Sequence, residues 1–197
     1  MTIQGDSSEY DLLVKACSYI KTDNLFTCEI GVREGLGSKI ILESFRKKTH
    51  WHIGIDPYGN LNYQHYDNKK PYQADYTNNM KSQLVKDLDS PNFTLFQLED
   101  DEFFKRFSDG VPIYRERKIL MKGYDLVHFD GPHTTEDVLK EALFFSLRAK
   151  ENCVFVFDDY KTYNMKLIGF ILKTYYNFVI LDKGENKIVL QKQNGTN

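Results

Sequence analysis

One stretch decides the fold of this chain: Glu29-Ile30-Gly31-Val32-Arg33-Glu34-Gly35-Leu36-Gly37-Ser38. It follows an apolar run, Leu25–Ile30, that is typical of a buried strand, and it leads into residues 36–45, whose apolar side chains recur at helical spacing. Glycines between a strand and a helix let the backbone turn sharply and approach a ligand closely, and the first amides of the helix are free to bind it. The stretch therefore predicts a strand–turn–helix unit with a ligand at the turn.

The same alternation of short apolar runs and helical segments extends over most of the chain. The predicted strands are residues 25–30, 51–56, 93–98, 124–130, 153–157, 178–181 and 187–191. The predicted helices are residues 9–20, 36–45, 135–149 and 163–175. Strands that alternate with helices form parallel sheets covered on both faces. The pattern predicts an α/β fold, a Rossmann-like doubly wound seven-stranded sheet that is mostly parallel, with a C-terminal hairpin that adds an antiparallel strand at the edge.

Length and composition favour one globular domain that spans residues 1–197. A chain of 197 residues can bury a core without disulfides or a structural metal. The net charge of -2 argues against a nucleic-acid partner, and no apolar run approaches the ~18 residues that a membrane span needs. The three cysteines, Cys17, Cys28 and Cys153, lack metal-binding spacing, so we expect buried free thiols in a reducing cytoplasm.

Two segments interrupt the alternation and are longer than ordinary loops. Residues 57–79 are polar and hold five tyrosines. Residues 107–123 contain a basic cluster of Arg115, Arg117, Lys118 and Lys122. Loops of this length in a compact domain are usually functional or disordered, although the basic cluster can also be a solvated face.

The glycine spacing of the turn differs from that of a dinucleotide-binding loop. Gly31 and Gly35 miss the G-x-G-x-x-G pattern, and Glu29 would repel a pyrophosphate. An acid at this place suits a nucleoside-type cofactor that carries a positive amine or sulfonium. Asp56 ends the second strand and can accept hydrogen bonds from both hydroxyls of a ribose. The alternatives are a tight turn with a surface acid, for Glu29, and a turn residue before Pro57, for Asp56.

A further pair of acids, Glu99 and Asp100, follows the third strand. Ligands of open α/β sheets bind outside the carboxyl ends of the strands, so one of these acids could contact an adenine amine. The alternative is that both acids start a helix, where negative side chains are favourable.

The fourth and fifth strands also end in acids, at Asp130 and at the pair Asp158 and Asp159. Adjacent parallel strands bring their ends together, and three converging carboxylates repel one another unless a cation neutralises them. Hard oxygen ligands suit Mg²⁺ or another divalent cation. His133 follows Asp130 closely and could act as a general base near neutral pH. The alternative is that Asp130 caps the next helix and that the aspartate pair forms a solvated turn.

Taken together, these motifs resemble those of the class I S-adenosylmethionine-dependent methyltransferases, in particular the small metal-dependent O-methyltransferase group. The pattern is similar to that of antibiotic-pathway sugar O-methyltransferases, and the resemblance covers residues 26–190. It implies a methionine-end site made of Glu29, Gly31, Gly35, Gly37 and Ser38. It implies that Asp56 binds the ribose, and that Glu99 or Asp100 lies near the adenine. It implies a magnesium site at Asp130, Asp158 and Asp159, with Asp130 and His133 as catalytic residues and His133 as the base.

The resemblance implies a Mg²⁺-dependent O-methyltransferase that uses S-adenosylmethionine to methylate a hydroxyl of a small molecule, a sugar or a glycan. Because only about one helix precedes the first strand, we expect residues 57–79 and 107–123 to form the acceptor site. A metal-independent methyltransferase and a catalytically silent cofactor-binding or interaction protein remain as alternatives. We expect a cytoplasmic protein without nucleic-acid or membrane partners, and a homodimer that completes the pocket is an open option.

Overall fold

The computed structural model describes Gly5 and residues 7–194, and the predicted domain is covered except for residues 1–4, 6 and 195–197. Its strands are β1 (Leu25–Ile30), β2 (His50–Ile55), β3 (Asn62–Tyr63), β4 (Tyr72–Gln73), β5 (Phe93–Phe96), β6 (Val111–Tyr114), β7 (Lys118–Met121), β8 (Tyr124–Phe129), β9 (Ala149–Phe157), β10 (Phe178–Lys183) and β11 (Ile188–Lys192). Its helices are α1 (Tyr10–Ser18), α2 (Leu36–Ser44), α3 (Asn78–Leu88), α4 (Asp100–Arg106), α5 (Thr135–Ser146) and α6 (Met165–Tyr176).

Seven of these strands form the predicted sheet, in the order β10-β11-β9-β8-β1-β2-β5. The ladders are parallel except those that β11 makes with β9 and β10. The Rossmann-like α/β fold is therefore confirmed, but the antiparallel strand is not at the edge. The apolar side chains of β11 are buried, whereas Val179 and Ile180 of β10 are exposed, so burial favours β11 in the inner position.

Helices cover both faces of the sheet, as the doubly wound pattern predicts. Leu126 of β8 packs in a buried cluster with Leu13 of α1 and Ile41 of α2. The next residue, Val127, packs in the opposite cluster with Phe145 of α5. Successive side chains of a strand point to opposite faces, so one strand supplies both cores. Among the described residues, no helix is long and apolar enough to cross a membrane.

The two interrupting segments both contain small hairpins, but they lie at different ends of the sheet. Within residues 57–79, β3 pairs with β4, and His65 of this segment contacts His133, beyond the carboxyl end of β8. Within residues 107–123, β6 pairs with β7, and Arg115 contacts His50 at the start of β2. Only the first segment is therefore close to the ends where ligands bind in such sheets.

Helix α3 was not expected from the sequence, and α4 was expected only as the alternative in which Glu99 and Asp100 start a helix. The structure confirms that alternative, with Glu99 at the N-cap of α4 and Asp100 as its first residue. Leu84 is the buried residue of α3, whose other side chains are half-buried or exposed, so its apolar stripe is weak. Helix α4 has only 7 residues, with Phe103 as its buried residue. Short or polar helices are stabilised by packing rather than by a periodic pattern, which is why periodicity does not reveal them.

The cysteines lie as expected. Cys17, Cys28 and Cys153 are buried and form no disulfide. Burial raises the pKa of the Cys17 thiol to about 12, so this thiol stays protonated. The three residues therefore act as small apolar side chains of the core.

Candidate functional site

The glycine turn brings the ends of β1 and β8 into direct contact. Gly31 has a φ of 76°, in the left-handed region that favours glycine. A Cβ atom on Gly31 would lie 2.0 Å from the backbone oxygen of Asp130. Gly35, with a φ of 88°, caps α2, and a Cβ there would meet the side chain of Leu84. Gly31 is therefore required by close packing against backbone, and Gly35 by its left-handed φ, whatever ligand binds at the turn.

Asp56 holds this turn from the neighbouring strand. Its side chain is buried, and its Oδ2 accepts hydrogen bonds from the backbone N–H groups of Val32 and Arg33, each at 3.0 Å. Its Oδ1 accepts a third from the N–H of Tyr58 at 2.9 Å. Burial raises the pKa of Asp56 to about 6, although the three amides oppose the shift. The carboxylate thus stabilises the glycine turn, in addition to the ribose contact predicted for it.

A cavity of about 250 Å³, here called the apolar pocket, lies between the ends of β1, β2 and β5. Its lining includes four of the residues predicted to bind the cofactor: Gly31, Asp56, Glu99 and Asp100. Ile30, Leu61, Tyr63, Tyr76, Leu98 and Pro132 supply its apolar walls. Burial raises the pKa of Asp100 above its ordinary value. An apolar slot with a few convergent polar groups is typical of a small-molecule site.

A second cavity of about 410 Å³, here called the acidic pocket, adjoins the first, and Tyr76 lines both. The structure brings together here four other predicted residues, Asp130, His133, Asp158 and Asp159. Residues 57–79 contribute a wall made of His65, Tyr66, Tyr72, Ala74, Asp75 and Tyr76. Arg33 of the glycine turn completes that side.

His133 is the titratable ring of the acidic pocket. Its backbone N–H donates to the carbonyl of His65 at 2.7 Å, and its ring centroid lies 5.1 Å from that of His65. Its Nε2 lies 3.7 Å from Oδ2 of Asp159. Burial, and then the neighbouring His65, lower the pKa of His133 to about 3. The ring is therefore neutral at pH 7 and free to accept a proton, and the lowered pKa also makes it a weaker base than an ordinary histidine.

The carboxyl groups of the pocket do not share one electrostatic state. Burial, and then the charge of Asp158, raise the pKa of Asp130 well above its ordinary value. Burial acts in the same direction on Asp158, but the hydrogen bond with Asp130 and the charge of Lys187 lower the pKa of Asp158 below its usual range. Nζ of Lys187 lies 2.8 Å from Oδ2 of Asp158. The pKa values of the two acids are thus shifted in opposite directions, and Asp158 is the one paired with a cation.

This arrangement does not fit the predicted three-carboxylate magnesium site. Oδ2 of Asp158 accepts from Lys187, and its Oδ1 accepts the backbone N–H of Asp159 at 2.9 Å. Among the described residues, the grouping with metal-ligand spacing is Glu29, His128 and Asp130, which shares only Asp130 with the prediction. A carboxylate that already holds an ammonium group is a poor ligand for a further cation.

Glu29 lies beneath the glycine turn and outside both pockets. Ser38 donates its hydroxyl to Oε2 of Glu29 at 2.5 Å, and Nδ1 of His128 lies 2.8 Å from Oε1. A Cβ atom on Gly37 would lie 1.9 Å from Oε1, so α2 packs directly on this carboxylate. The structure thus places Glu29, Gly35, Gly37 and Ser38 inside the turn rather than on a cavity wall. Their assignment to the methionine end stays a prediction.

The buried hydrogen bonds around Glu29 set the orientation of His128. Nδ1 of His128 is the ring nitrogen that faces Glu29, and Nε2 is the one that faces Asp130. That Nε2 has no hydrogen-bond partner among the described residues, and it lies 3.9 Å from Oδ2 of Asp130. Glu29 is therefore connected to the acidic pocket through His128.

The chain matches a known family over most of its length. Residues 28–160 match the family described as methyltransferase domain, which is more than half of the chain. The chain belongs to this methyltransferase family. The resemblance noted in its strand-end motifs, to class I S-adenosylmethionine-dependent methyltransferases, is thereby confirmed. No curated protein sequence matches the chain.

Solved structures share the fold of this methyltransferase at low sequence identity. An O-methyltransferase from Bacillus cereus in complex with SAH matches with a TM-score of 0.63 and 7% identity, over 98% of this chain and 84% of that one. An rRNA methylase from Streptococcus thermophilus matches with a TM-score of 0.60 and 8% identity, over 97% and 100%. A precorrin-6y C5,15-methyltransferase from Geobacter metallireducens matches with a TM-score of 0.59 and 13% identity, over 97% of this chain and 91% of that one. These likenesses show the fold, and the named acceptors differ from one protein to the next.

The basic segment of the methyltransferase lies away from both pockets, which corrects the expectation that residues 107–123 help to form the acceptor site. The guanidinium of Arg115 lies 4.9 Å from the ring centroid of Trp51 and donates to the carbonyl of His50. His50 begins β2, whereas the pockets lie beyond its last residue, Ile55. Because a strand rises about 3.3 Å per residue, the two ends of β2 are roughly 16 Å apart. Tertiary packing of the hairpin, which sequence spacing does not encode, decides this placement.

Sequence reasoning missed three residues of the methyltransferase site: His65, His128 and Lys187. His128 and Lys187 lie within or beside apolar runs, where a single polar residue ordinarily alternates out to solvent. His65 lies among the polar residues of 57–79, and its pairing with His133 depends on how that segment folds back. A lysine before a strand carries no signal of burial, so the sequence alone could not have identified Lys187.

Asp56→Asn is expected to lower the free energy of unfolding by about 1–3 kcal/mol, because a buried carboxylate that accepts three backbone N–H groups is replaced by an amide with one acceptor oxygen. Urea denaturation measures this change. Asp67→Asn is the matched control, since the exposed Asp67 also accepts a backbone N–H, that of Thr135. We expect under about 1 kcal/mol for the control. Equal losses of unfolding free energy in the two variants would show that the three hydrogen bonds of Asp56 do not stabilise the turn.

Proposed function

We propose that this methyltransferase transfers a methyl group from S-adenosylmethionine to a hydroxyl group of a small molecule, a sugar or a glycan, with His133 as the base. The observation that carries the proposal is a neutral, buried imidazole in an acidic pocket that adjoins an apolar, nucleoside-sized pocket. Oxygen methylation requires a place for the hydroxyl proton, and a neutral ring provides it.

The residues of the two pockets fit the cofactor. The apolar pocket offers walls for an adenosine, with Asp56 for the ribose and Glu99 or Asp100 for the adenine. The acidic pocket places carboxyl groups where a positive sulfonium and amine are favoured. Bound S-adenosylmethionine supplies an electrophilic methyl group on sulfur, which leaves as part of a neutral thioether. The chain itself has only to position the acceptor and remove its proton.

The proton passes from the acceptor hydroxyl to the ring of His133 as the oxygen–methyl bond forms. The ring then carries a positive charge, and the carboxylate of Asp159, 3.7 Å from Nε2, stabilises it. Burial raises the pKa of Asp130 above its ordinary value, and its side chain is 17% exposed and lines the acidic pocket. Asp130 can therefore hydrogen-bond the acceptor, whereas His133 takes its proton.

Residues 57–79 supply the acceptor wall in this proposal. Tyr66 and Tyr72 line the acidic pocket and offer ring faces on which a sugar or an aromatic acceptor can pack. The acids Asp75 and Asp159 border the same space. Carboxylates at the acceptor site repel a phosphate backbone, so we favour a neutral hydroxylated acceptor even though rRNA methylases share the fold.

The proposed reaction uses no magnesium ion. The sequence resemblance implies a metal at Asp130, Asp158 and Asp159, but Asp158 is paired with Lys187 in the structure. Of the two enzymatic readings of the sequence, the geometry of Asp158 favours the metal-independent one.

Calorimetric titration with SAH tests the cofactor assignment. We expect one site per chain with a micromolar Kd, and at least about tenfold weaker binding for Leu61→Trp, equivalent to about 1.4 kcal/mol. Leu61 lines the apolar pocket and is 39% exposed, so a larger ring fills the cavity with little effect on the core. Leu120→Trp, at a leucine 43% exposed on the β6–β7 hairpin, is the matched control. If SAH does not bind to the unmodified protein, the proposal is wrong. If SAH binds but no hydroxylated acceptor is methylated, the alternative of a catalytically silent cofactor-binding protein is favoured.

A further inference from the structure

Lys187 is a fully buried lysine beside the acidic pocket. Its Nζ lies 2.8 Å from Oδ2 of Asp158 and 2.8 Å from Oγ of Ser7. The ring centroid of Tyr10 lies 5.4 Å from the same nitrogen. Lysine is almost never fully buried unless its charge is paired. A carboxylate, a hydroxyl and a ring face around one nitrogen form a site fitted to a single positive charge.

The backbone, and not only the flexible side chain, places this charge. In the antiparallel ladder of β11 and β9, Ile188 pairs with Phe157, so the preceding Lys187 lies opposite Asp158. The turn before β11 is held by the carboxylate of Glu9, which accepts three successive backbone N–H groups, the last that of Lys187 at 2.9 Å. The position of the ammonium group beside Asp158 is therefore set by the backbone.

The ammonium group already occupies the carboxylate at the centre of the predicted metal site. Asp158 and Lys187 form an ion pair, with Nζ of Lys187 2.8 Å from Oδ2 of Asp158. Of the other predicted metal ligands, Asp159 has a side chain that is 33% exposed, and its Oδ2 lies 3.7 Å from Nε2 of His133. A Mg²⁺ ion at Asp158 would lie next to an ammonium group of the same sign.

We propose that Lys187 supplies, from within the fold, the positive charge that a divalent cation would otherwise supply to these acids, so that the methyltransferase works without a metal. The assignment rests on the methyl-transfer function proposed above. Lys187 is a positioning residue in this view. It fixes Asp158, and Asp158 in turn fixes Asp130, which faces the acceptor.

The unmodified protein provides the first test, for which no variant has to fold. Electron paramagnetic resonance of Mn²⁺ added to the protein is expected to show no stoichiometric binding. Methyl transfer by chelator-treated enzyme is expected to stay within twofold of untreated enzyme, with no gain when Mg²⁺ is returned. One tightly bound Mn²⁺ per chain, or a chelator-induced loss that Mg²⁺ restores, would overturn the proposal.

Two variants test the role of the ammonium group directly. Lys187→Met keeps much of the volume without the charge, and we expect kcat to fall about 100-fold, the loss that a 1 Å misplacement of reacting groups produces. The affinity for SAH is expected to stay within twofold, because Lys187 does not line the apolar pocket. Lys187→Ala opens space beside Asp130 and Asp158, and we expect it to gain one Mn²⁺ site that Mg²⁺ competes for.

Lys192→Met is the matched control on the same strand. Nζ of Lys192 donates to the backbone carbonyl of Ala149 at 2.9 Å and to that of Ser146 at 3.4 Å. We expect normal kcat and no Mn²⁺ binding for this variant. An unchanged kcat in Lys187→Met, or a Lys192→Met loss of equal size, would overturn the positioning role. If the unmodified protein does not bind SAH, the proposed function is wrong. The Mn²⁺ measurement would still show whether these acids bind a divalent cation.

Discussion

His133→Gln is expected to lower kcat by about 10²–10⁴-fold, because the hydroxyl proton then has no neutral ring to receive it. Glutamine keeps a polar side chain of similar reach, so the packing of the acceptor wall against this position is largely retained. The affinity for SAH is expected to change far less than kcat, since the adenosine lies in the apolar pocket, which His133 does not line. Steady-state kinetics together with calorimetry separate the two effects.

The pH dependence of the same reaction gives a second readout. Burial lowers the pKa of His133 to about 3, so the ring is in its neutral, accepting form at every pH above about 3. The acidic limb that His133 contributes to kcat/KM, which reports the free enzyme, is therefore expected near pH 3, and none between pH 5 and 8. A limb near pH 6.5 that disappears in His133→Gln would show that the ring is charged in the free enzyme, and would contradict this assignment.

Gly31→Ala is expected to lower the free energy of unfolding by roughly 2–5 kcal/mol and to abolish SAH binding. Its φ of 76° strains any residue with a Cβ atom, and that atom would lie 2.0 Å from the backbone oxygen of Asp130. The three atoms nearest to this Cβ belong to the backbone of Asp130 and Gly131, so no side chain can move aside. The ends of β1 and β8 have to separate, and the wall of the apolar pocket moves with them.

Gly59→Ala is the control for Gly31→Ala. Gly59 has a φ of 83°, but a Cβ atom there meets nothing within 4 Å. The substitution therefore carries the backbone strain alone, about 1–2 kcal/mol. Urea denaturation of both variants isolates the contact with Asp130 as the difference. Equal losses, or a Gly31→Ala protein that still binds SAH normally, would contradict the close approach of the two strand ends.

Much of the fold follows from local patterns in the sequence. All seven strands of the sheet lie within a few residues of the apolar runs that predict them, and the predicted helix at residues 36–45 is α2, Leu36–Ser44. A run of apolar residues has to be buried on both faces, so its position in an α/β sheet is largely determined. The predicted helix at residues 135–149 ends at Ser146 instead, because the chain from Ala149 joins β9.

The sequence predicted which residues of the candidate site lie at the ends of strands. Gly31, Asp56, Asp130 and Asp158 each follow or end a predicted strand, and parallel strands bring their carboxyl ends together. The direction of each side chain was not predictable in this way. Glu29 is the last residue but one of β1 and points beneath α2, where Ser38 and His128 bind it.

The sequence by itself determined the α/β sheet, the glycine turn and the set of acids at its carboxyl edge, because each depends on residues close together in the chain. Only the tertiary structure decided what neutralises those acids. Lys187 lies 29 positions after Asp158 in the chain and 2.8 Å from it in space, brought there by the antiparallel ladder of β11 and β9. The tertiary structure likewise placed residues 57–79 over His133 and residues 107–123 at the opposite end. Contacts between distant segments depend on burial and strand register, which no local pattern encodes.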